Sequence, residues 1–143
     1  MSIYSLGVRT SNTAVANACF ELIGGANLGY RLLEMGLTLN TATALACALG
    51  QPATIGGTPT TPVAVLAEDG GNSAAGNSTT ALAWTTGPVA PTAFYRRVSL
   101  PATIGAGIIW TFPRGLPILK AKTLVLWDIT AGVVSDVWVV VDE

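Results

Sequence analysis

The chain has 143 residues, of which 50% are hydrophobic and 10% charged, with a formal net charge of −1 and no histidine. This length sets one domain, residues 1–143, with enough chain to bury a core without staples. The charge balance leaves no electrostatic footprint for nucleic acid, and no uninterrupted apolar stretch reaches the roughly 18 residues of a spanning helix, so no membrane partner is expected.

In chain order, 2–9 and 18–23 read as short strands, followed by the turn formers Gly24, Gly25 and Asn27. Residues 28–40 alternate with period two: from Leu33 onward Met35, Leu37 and Leu39 share one side, as a half-buried strand requires. Residues 41–50 alternate as well, with Thr43, Leu45, Cys47 and Leu49 opposite alanines. A strand with a flat alanine face, open to another sheet or subunit, is predicted there; the alanine content leaves a short helix as the alternative. Residues 51–78 turn to Pro, Gly, Thr and Asn and read as a long loop, with a short strand at 63–66, serving as a surface arm or lattice contact.

Further strands are predicted at 79–86, 93–100, 107–112 and 119–127, with turns at Gly87-Pro88, Pro101, Pro113-Arg114-Gly115 and Gly132. The closing segment 133–142 sets Val137, Val139 and Val141 on one side and Asp136, Trp138, Val140 and Asp142 on the other. A strand apolar on both faces lies between two layers or under a partner. About 8–10 short antiparallel strands with this spacing predict an all-β fold, a sandwich or barrel. The motif Pro52-Ala53-Thr54-Ile55-Gly56 recurs at Pro101-Ala102-Thr103-Ile104-Gly105, either as two equivalent strand-to-turn corners or as chance reuse of a good turn.

Chemistry is sparse. Without histidine the commonest general base and metal ligand are missing, and two cysteines cannot form a four-thiolate zinc site within one chain. Cys19 and Cys47, each among apolar or small residues, are expected as buried free thiols. Glu68 and Asp69, with Asn72, offer oxygens to a calcium ion, but an acidic solvent turn is the ordinary reading. Trp84, Trp110, Trp127 and Trp138 all sit in β-patterned runs, which favours packing over sugar stacking; Trp110, just ahead of the 113–115 turn, is the one expected nearest the surface. Arg96-Arg97 send their guanidinium groups to opposite faces of one strand, so either a neighbour's Glu34, Asp128 or Asp136 receives one of them or both sit on a solvated edge. No enzyme activity, cofactor, metal or small-molecule substrate is expected. The residues expected at interfaces are Trp110, Arg96, Arg97, Arg114, Trp138, Val140, Glu68 and Asp69. The N-terminus lacks a basic segment followed by an apolar one, so synthesis in the cytoplasm without a secretory leader is expected.

The run FYRRVSLPATIGAGIIWTFPRGL at 94–116 and the ending LVLWD at 124–128 with DVWVVVDE at 136–143 resemble small β-proteins of tailed phages, the head decoration (cement) type above all. The resemblance implies a β-sandwich or jelly-roll unit, a trimer seated on the capsid exterior where major capsid subunits meet, assembled in the host cytoplasm and reinforcing the shell. A neck, tail or fibre protein is the alternative, and a carbohydrate-binding sandwich the second.

Overall fold

The computed structural model describes residues 2–11, 16–69, 75–130 and 132–143. Its strands are β1 (Ile3–Arg9), β2 (Asn17–Ile23), β3 (Tyr30–Leu39), β4 (Leu45–Gly50), β5 (Gly57–Pro59), β6 (Val63–Ala67), β7 (Ala75–Ala81), β8 (Trp84–Thr86), β9 (Phe94–Leu100), β10 (Gly107–Ile118), β11 (Thr123–Asp128) and β12 (Ser135–Asp142). Ten of them form one antiparallel ribbon in the order β10-β3-β12-β1-β6-β7-β2-β11-β4-β9, and β5 pairs with β8 separately.

That order is a jelly roll. The chain doubles back on itself about one midpoint: Ile3 pairs with Asp142, Ile23 with Thr123, Thr38 with Gly107 and Leu45 with Leu100. The folded-over ladder then rolls into two layers, β10-β3-β12-β1 and β2-β11-β4-β9, with the β6–β7 hairpin joining them along one long side. Along the other long side the ribbon ends, β9 and β10, approach each other: the Arg96 guanidinium lies 5.1 Å from the Phe112 ring centre. Between the layers the alternating residues converge into the core, with Met35, Leu37 and Leu39 from β3, Leu45, Cys47 and Leu49 from β4, Leu124 and Leu126 from β11, and Val137, Val139 and Val141 from β12.

The expected strand at 28–40 is β3, with one refinement. A bulge at Leu33 breaks the register between Val140 and Val141, so Tyr30 and Leu32 are buried upstream of it and Met35, Leu37 and Leu39 downstream. Four other expectations are corrected. The loop at 51–78 has its expected short strand as β6, but it also contains β5 and the start of β7. The strand at 79–86 is two strands, β7 and β8, broken between Ala81 and Trp84. Pro113-Arg114-Gly115 is not a turn but a bulge inside β10, between the pairs Thr111–Glu34 and Leu116–Leu32. Its Gly115 has φ +66°, and Pro113 is tolerated because β10 ends the ribbon, where no N–H is owed to a further neighbour. The strand at 119–127 begins only at Thr123, after a turn in which Ala121 takes φ 54°.

β4 settles 45–50 as strand, but its alanine face is not free for another subunit. Ala48 is fully buried, and Ala18, Val125 and Trp127 on the same outer face pack against Trp84, Phe94 and Ile129. The segments around β5 and β8, tied by a Thr54–Val89 bridge, supply this third layer from the same chain. Glu21 on β2, wholly buried, anchors it: its carboxylate accepts the Trp84 Nε1–H at 2.6 Å and the Gly56 N–H at 3.3 Å. The two Pro-Ala-Thr-Ile-Gly copies are not equivalent corners, because Gly105 has φ +83° whereas Gly56 is outside the left-handed region.

Candidate functional surface

Among the described residues, none supplies such a cover to the opposite outer face, on β10-β3-β12-β1. Registers place Ile109, Gly36, Trp138 and Gly7 in one row across its four strands, and Thr111, Glu34, Val140, Ser5 and Leu66 in the row below. The Trp138 ring lies flat on Gly36, where a Cβ would fall inside the indole, and its Nε1–H donates to Glu34 Oε1 at 3.1 Å. On its other side nothing lies within 4 Å of a Cβ built at Gly7. A groove of about 480 Å³ opens there, bounded by Gly7, Val8, Arg9, Asp136, Val137 and Trp138. Arg9 closes one end by donating to Asp136 at 2.7 and 3.0 Å. That hydrogen bond, with the attached charge, holds the Asp136 carboxyl below its usual range and raises Arg9. Trp138 and Val140 are half-buried, while Ile109 at 56% and Leu66 at 59% exposure stand at the two margins of the face.

The β9/β10 margin carries the arginines. Arg96 and Arg97 are both exposed, and each is laid on an aromatic ring of this chain, Arg96 over Phe112 at 5.1 Å and Arg97 over Phe94 at 5.6 Å. The rim thus receives both guanidinium groups. Arg96 also donates to the Tyr95 carbonyl at 2.9 Å, and Arg31 donates to the Arg114 carbonyl at 3.1 Å, bringing a fourth arginine to the same margin. Of the acids expected to meet Arg96 or Arg97 from a neighbour, Asp128 is fully buried and out of reach, Asp136 is held by Arg9, and Glu34 by Trp138.

The remaining expected site residues divide. Trp110 is corrected: it faces the core from β10 and is 6% exposed, because the strand continues past it instead of turning. Glu68 and Asp69 are exposed and follow β6, on the long side away from the arginines, where the Glu68 N–H donates to the Ile3 carbonyl. Asn72 of the calcium reading lies outside the described residues; among those described, no group of three His, Cys, Asp or Glu is placed to hold a metal. Cys19 and Cys47 are buried free thiols. They lie on β2 and β4, either side of β11, so about 9.5 Å separates their strands, beyond the reach of a disulfide. Burial pushes the Cys47 thiol up to about 12 and Cys19 well above its ordinary value, with Asp128 nearby adding to both. Trp127 is buried, and Trp84 is partly buried, packed on Gly56 and on the Ala18, Val125 and Trp127 cluster.

One end of the sandwich holds a larger cleft of about 670 Å³, bounded by Leu28, Tyr30, Arg31, Pro117, Leu119 and Asp142 among others. Leu119, 72% exposed, separates it from a second cleft of about 360 Å³ beside Pro52, Ile55 and Lys122. Tyr30 backs the first cleft with its hydroxyl donated to the Leu22 carbonyl at 3.1 Å, and burial holds that phenol protonated far above its usual range.

Sequence reasoning missed the seats on which these side chains rest. Phe94 and Phe112 stand three and sixteen positions from the arginines they seat, and only the jelly-roll register brings Phe112 across. Gly36 was visible as a glycine in mid-strand, a standing signal for close approach of a bulky group.

No protein-family model matches the chain, and no curated protein matches it significantly. Among solved structures it is similar to a decameric BFDV capsid protein, with 11% sequence identity, a TM-score of 0.30, and 98% of this chain and 92% of that chain covered; a likeness of that size carries no argument.

Proposed function

We propose that this chain is a non-enzymatic structural protein of a virion, of the capsid decoration kind, that seats the outer face of β10-β3-β12-β1 on the major capsid subunits and joins copies of itself, as the trimer of the decoration type would, on the capsid exterior. The observation that carries this reading is the unequal treatment of the two outer faces. One is covered by the chain's own β5–β8 layer, with Ala18, Val125 and Trp127 buried against its Trp84. The other leaves Ile109, Trp138, Val140 and Leu66 without a cover among the described residues. Apolar surface of this kind marks interaction sites, and repetition over a shell turns a modest contact into avidity.

The test is co-sedimentation of the purified protein with purified capsid shells, preceded by light scattering on the protein alone. Ile109→Asp, at an exposed position on the uncovered face, is expected to abolish sedimentation with shells and leave the melting temperature unchanged. A monodisperse monomer that follows no shell would refute the reading.

A further inference from the structure

The two margins of the uncovered sheet differ in charge at the same height. Its rows run from Pro117 on β10 through Arg31, Asp142 and Ile3 to Glu68, whose N–H donates to the Ile3 carbonyl. Arg114, in the bulge between Thr111 and Leu116, therefore lies level with the segment from Leu66 to Glu68 on the far margin, and Arg96 packs on Phe112 beside it. One margin presents Arg31, Arg96, Arg97 and Arg114; the other presents exposed Leu66, Glu68 and Asp69. Among the described residues the Arg9–Asp136 bridge is the salt bridge, and no described carboxylate forms one with the arginines of the β9/β10 margin.

We propose that copies of this chain pack side by side, head to tail, with the β9/β10 margin of one (Arg96, Arg97 and Arg114) against the β6 margin (Leu66, Glu68 and Asp69) of the next. This deepens the structural reading above and rests on it: the uncovered faces of adjacent copies then form one continuous surface, with Leu66 of one beside Ile109 of the other. Three features favour a second copy as the occupant. The charges are complementary and both margins belong to every copy. The guanidinium groups are already ordered on Phe112 and Phe94, which lowers the entropy cost of engaging them. Pro113 and Pro117 on β10 remove N–H donors from the ribbon's end, so a side-chain contact suits this margin better than an added strand. The contact is heterologous, so the angle between the two margins decides whether the copies close into a ring or continue as an open filament.

The experiment uses two exposed double variants, Arg96→Glu/Arg97→Glu and Glu68→Arg/Asp69→Arg, studied by sedimentation velocity alone and mixed. The wild type is expected to self-associate, less so in high salt. Each variant alone is expected to weaken self-association about 100-fold by setting like charges opposite each other. Mixed one to one, opposite charges face each other again at both junctions, intact margin to intact margin and reversed margin to reversed margin, so association is expected to return in alternating copies of the two variants. An unchanged wild-type oligomer in either variant, a monomeric wild type, or a mixture that stays monomeric overturns the proposal. Circular dichroism and melting confirm that both variants are folded. Shell binding that survives in variants that no longer self-associate keeps the two readings separable: the uncovered face then still binds shells, whatever the outcome at the margins.

Discussion

Trp138 is flanked by glycines on both neighbouring strands, Gly36 on β3 and Gly7 on β1, yet it rests on only one of them. Substituting each by alanine separates the seat from the groove. At Gly36 the new methyl would overlap the indole, so the ring must lift and break its hydrogen bond to Glu34. A hydrogen bond to a charged group contributes about 1.5–3 kcal/mol. Alanine recovers about 0.5–1 kcal/mol of backbone entropy within a strand. The net is a loss of about 1–2 kcal/mol, and at about 2–4 °C per kcal/mol for a domain of this size the melting temperature falls by about 2–8 °C. At Gly7, which has neither a close neighbour nor a positive φ, only the entropy gain remains, and Gly7→Ala is expected to raise the melting point by a few degrees. Differential scanning calorimetry reads both, and tryptophan emission should shift to the red in Gly36→Ala alone. Equal shifts in the two variants, or a stabilised Gly36→Ala, would refute the stacking argument.

Other outcomes follow from the same geometry. Glu21→Ala removes the acceptor of both Trp84 Nε1–H and Gly56 N–H, and is expected to cost about 2–4 kcal/mol and to speed hydrogen exchange in 53–60 and 84–89 while β3 and β12 stay protected. Trp138→Ala should lower stability and shell binding together, by about 2 kcal/mol because the ring is half-buried instead of enclosed; unchanged melting and binding would count against it. The cysteines set an alkaline limit. Folded Cys47 holds its proton to about 12 while the unfolded thiol releases it near its ordinary value of 9.0, so stability falls as pH rises from about 9 toward 12, and denaturant midpoints across that window should show it. Neither thiol should react with a thiol reagent at pH 8 until the chain unfolds.

Period-two alternation made most strands legible, because a residue facing the core must be apolar wherever the opposite face meets water. It failed where one face does not meet water. β11 is buried at every position, so the sequence 123–128 carries no alternation that marks its start, and Leu119-Lys120-Ala121-Lys122, which does alternate, reads as its beginning. The same cause hid the β5–β8 layer: a Pro-, Gly- and Thr-rich segment looks like solvent-exposed loop until Trp84 and Glu21 are known to clamp it on a sheet. Pro113-Arg114-Gly115 misled for a different reason. Turn formers also suit a bulge in an edge strand, and whether a strand is an edge is a property of the ribbon order, invisible in the local sequence. That error carried Trp110 to the surface with it. The arginine pair was correctly placed on opposite faces, but its aromatic seats depend on long-range register.

Both outer faces use one device, a tryptophan laid on a glycine with its indole N–H given to a glutamate: Trp84 on Gly56 with Glu21, and Trp138 on Gly36 with Glu34. The difference lies in where the tryptophan comes from. Trp84 comes from the β5–β8 layer, so the same contact that satisfies its N–H also fastens a cover over Ala18 and Val125. Trp138 and Gly36 both belong to the sheet, so their contact tidies the ring and brings no cover with it. A low-charge chain therefore does not need a partner for every two-faced strand, and β11 shows one that the chain covers for itself. The case for a partner rests on β12, where the same chemistry ends at the surface with Ile109 and Leu66 exposed on either side.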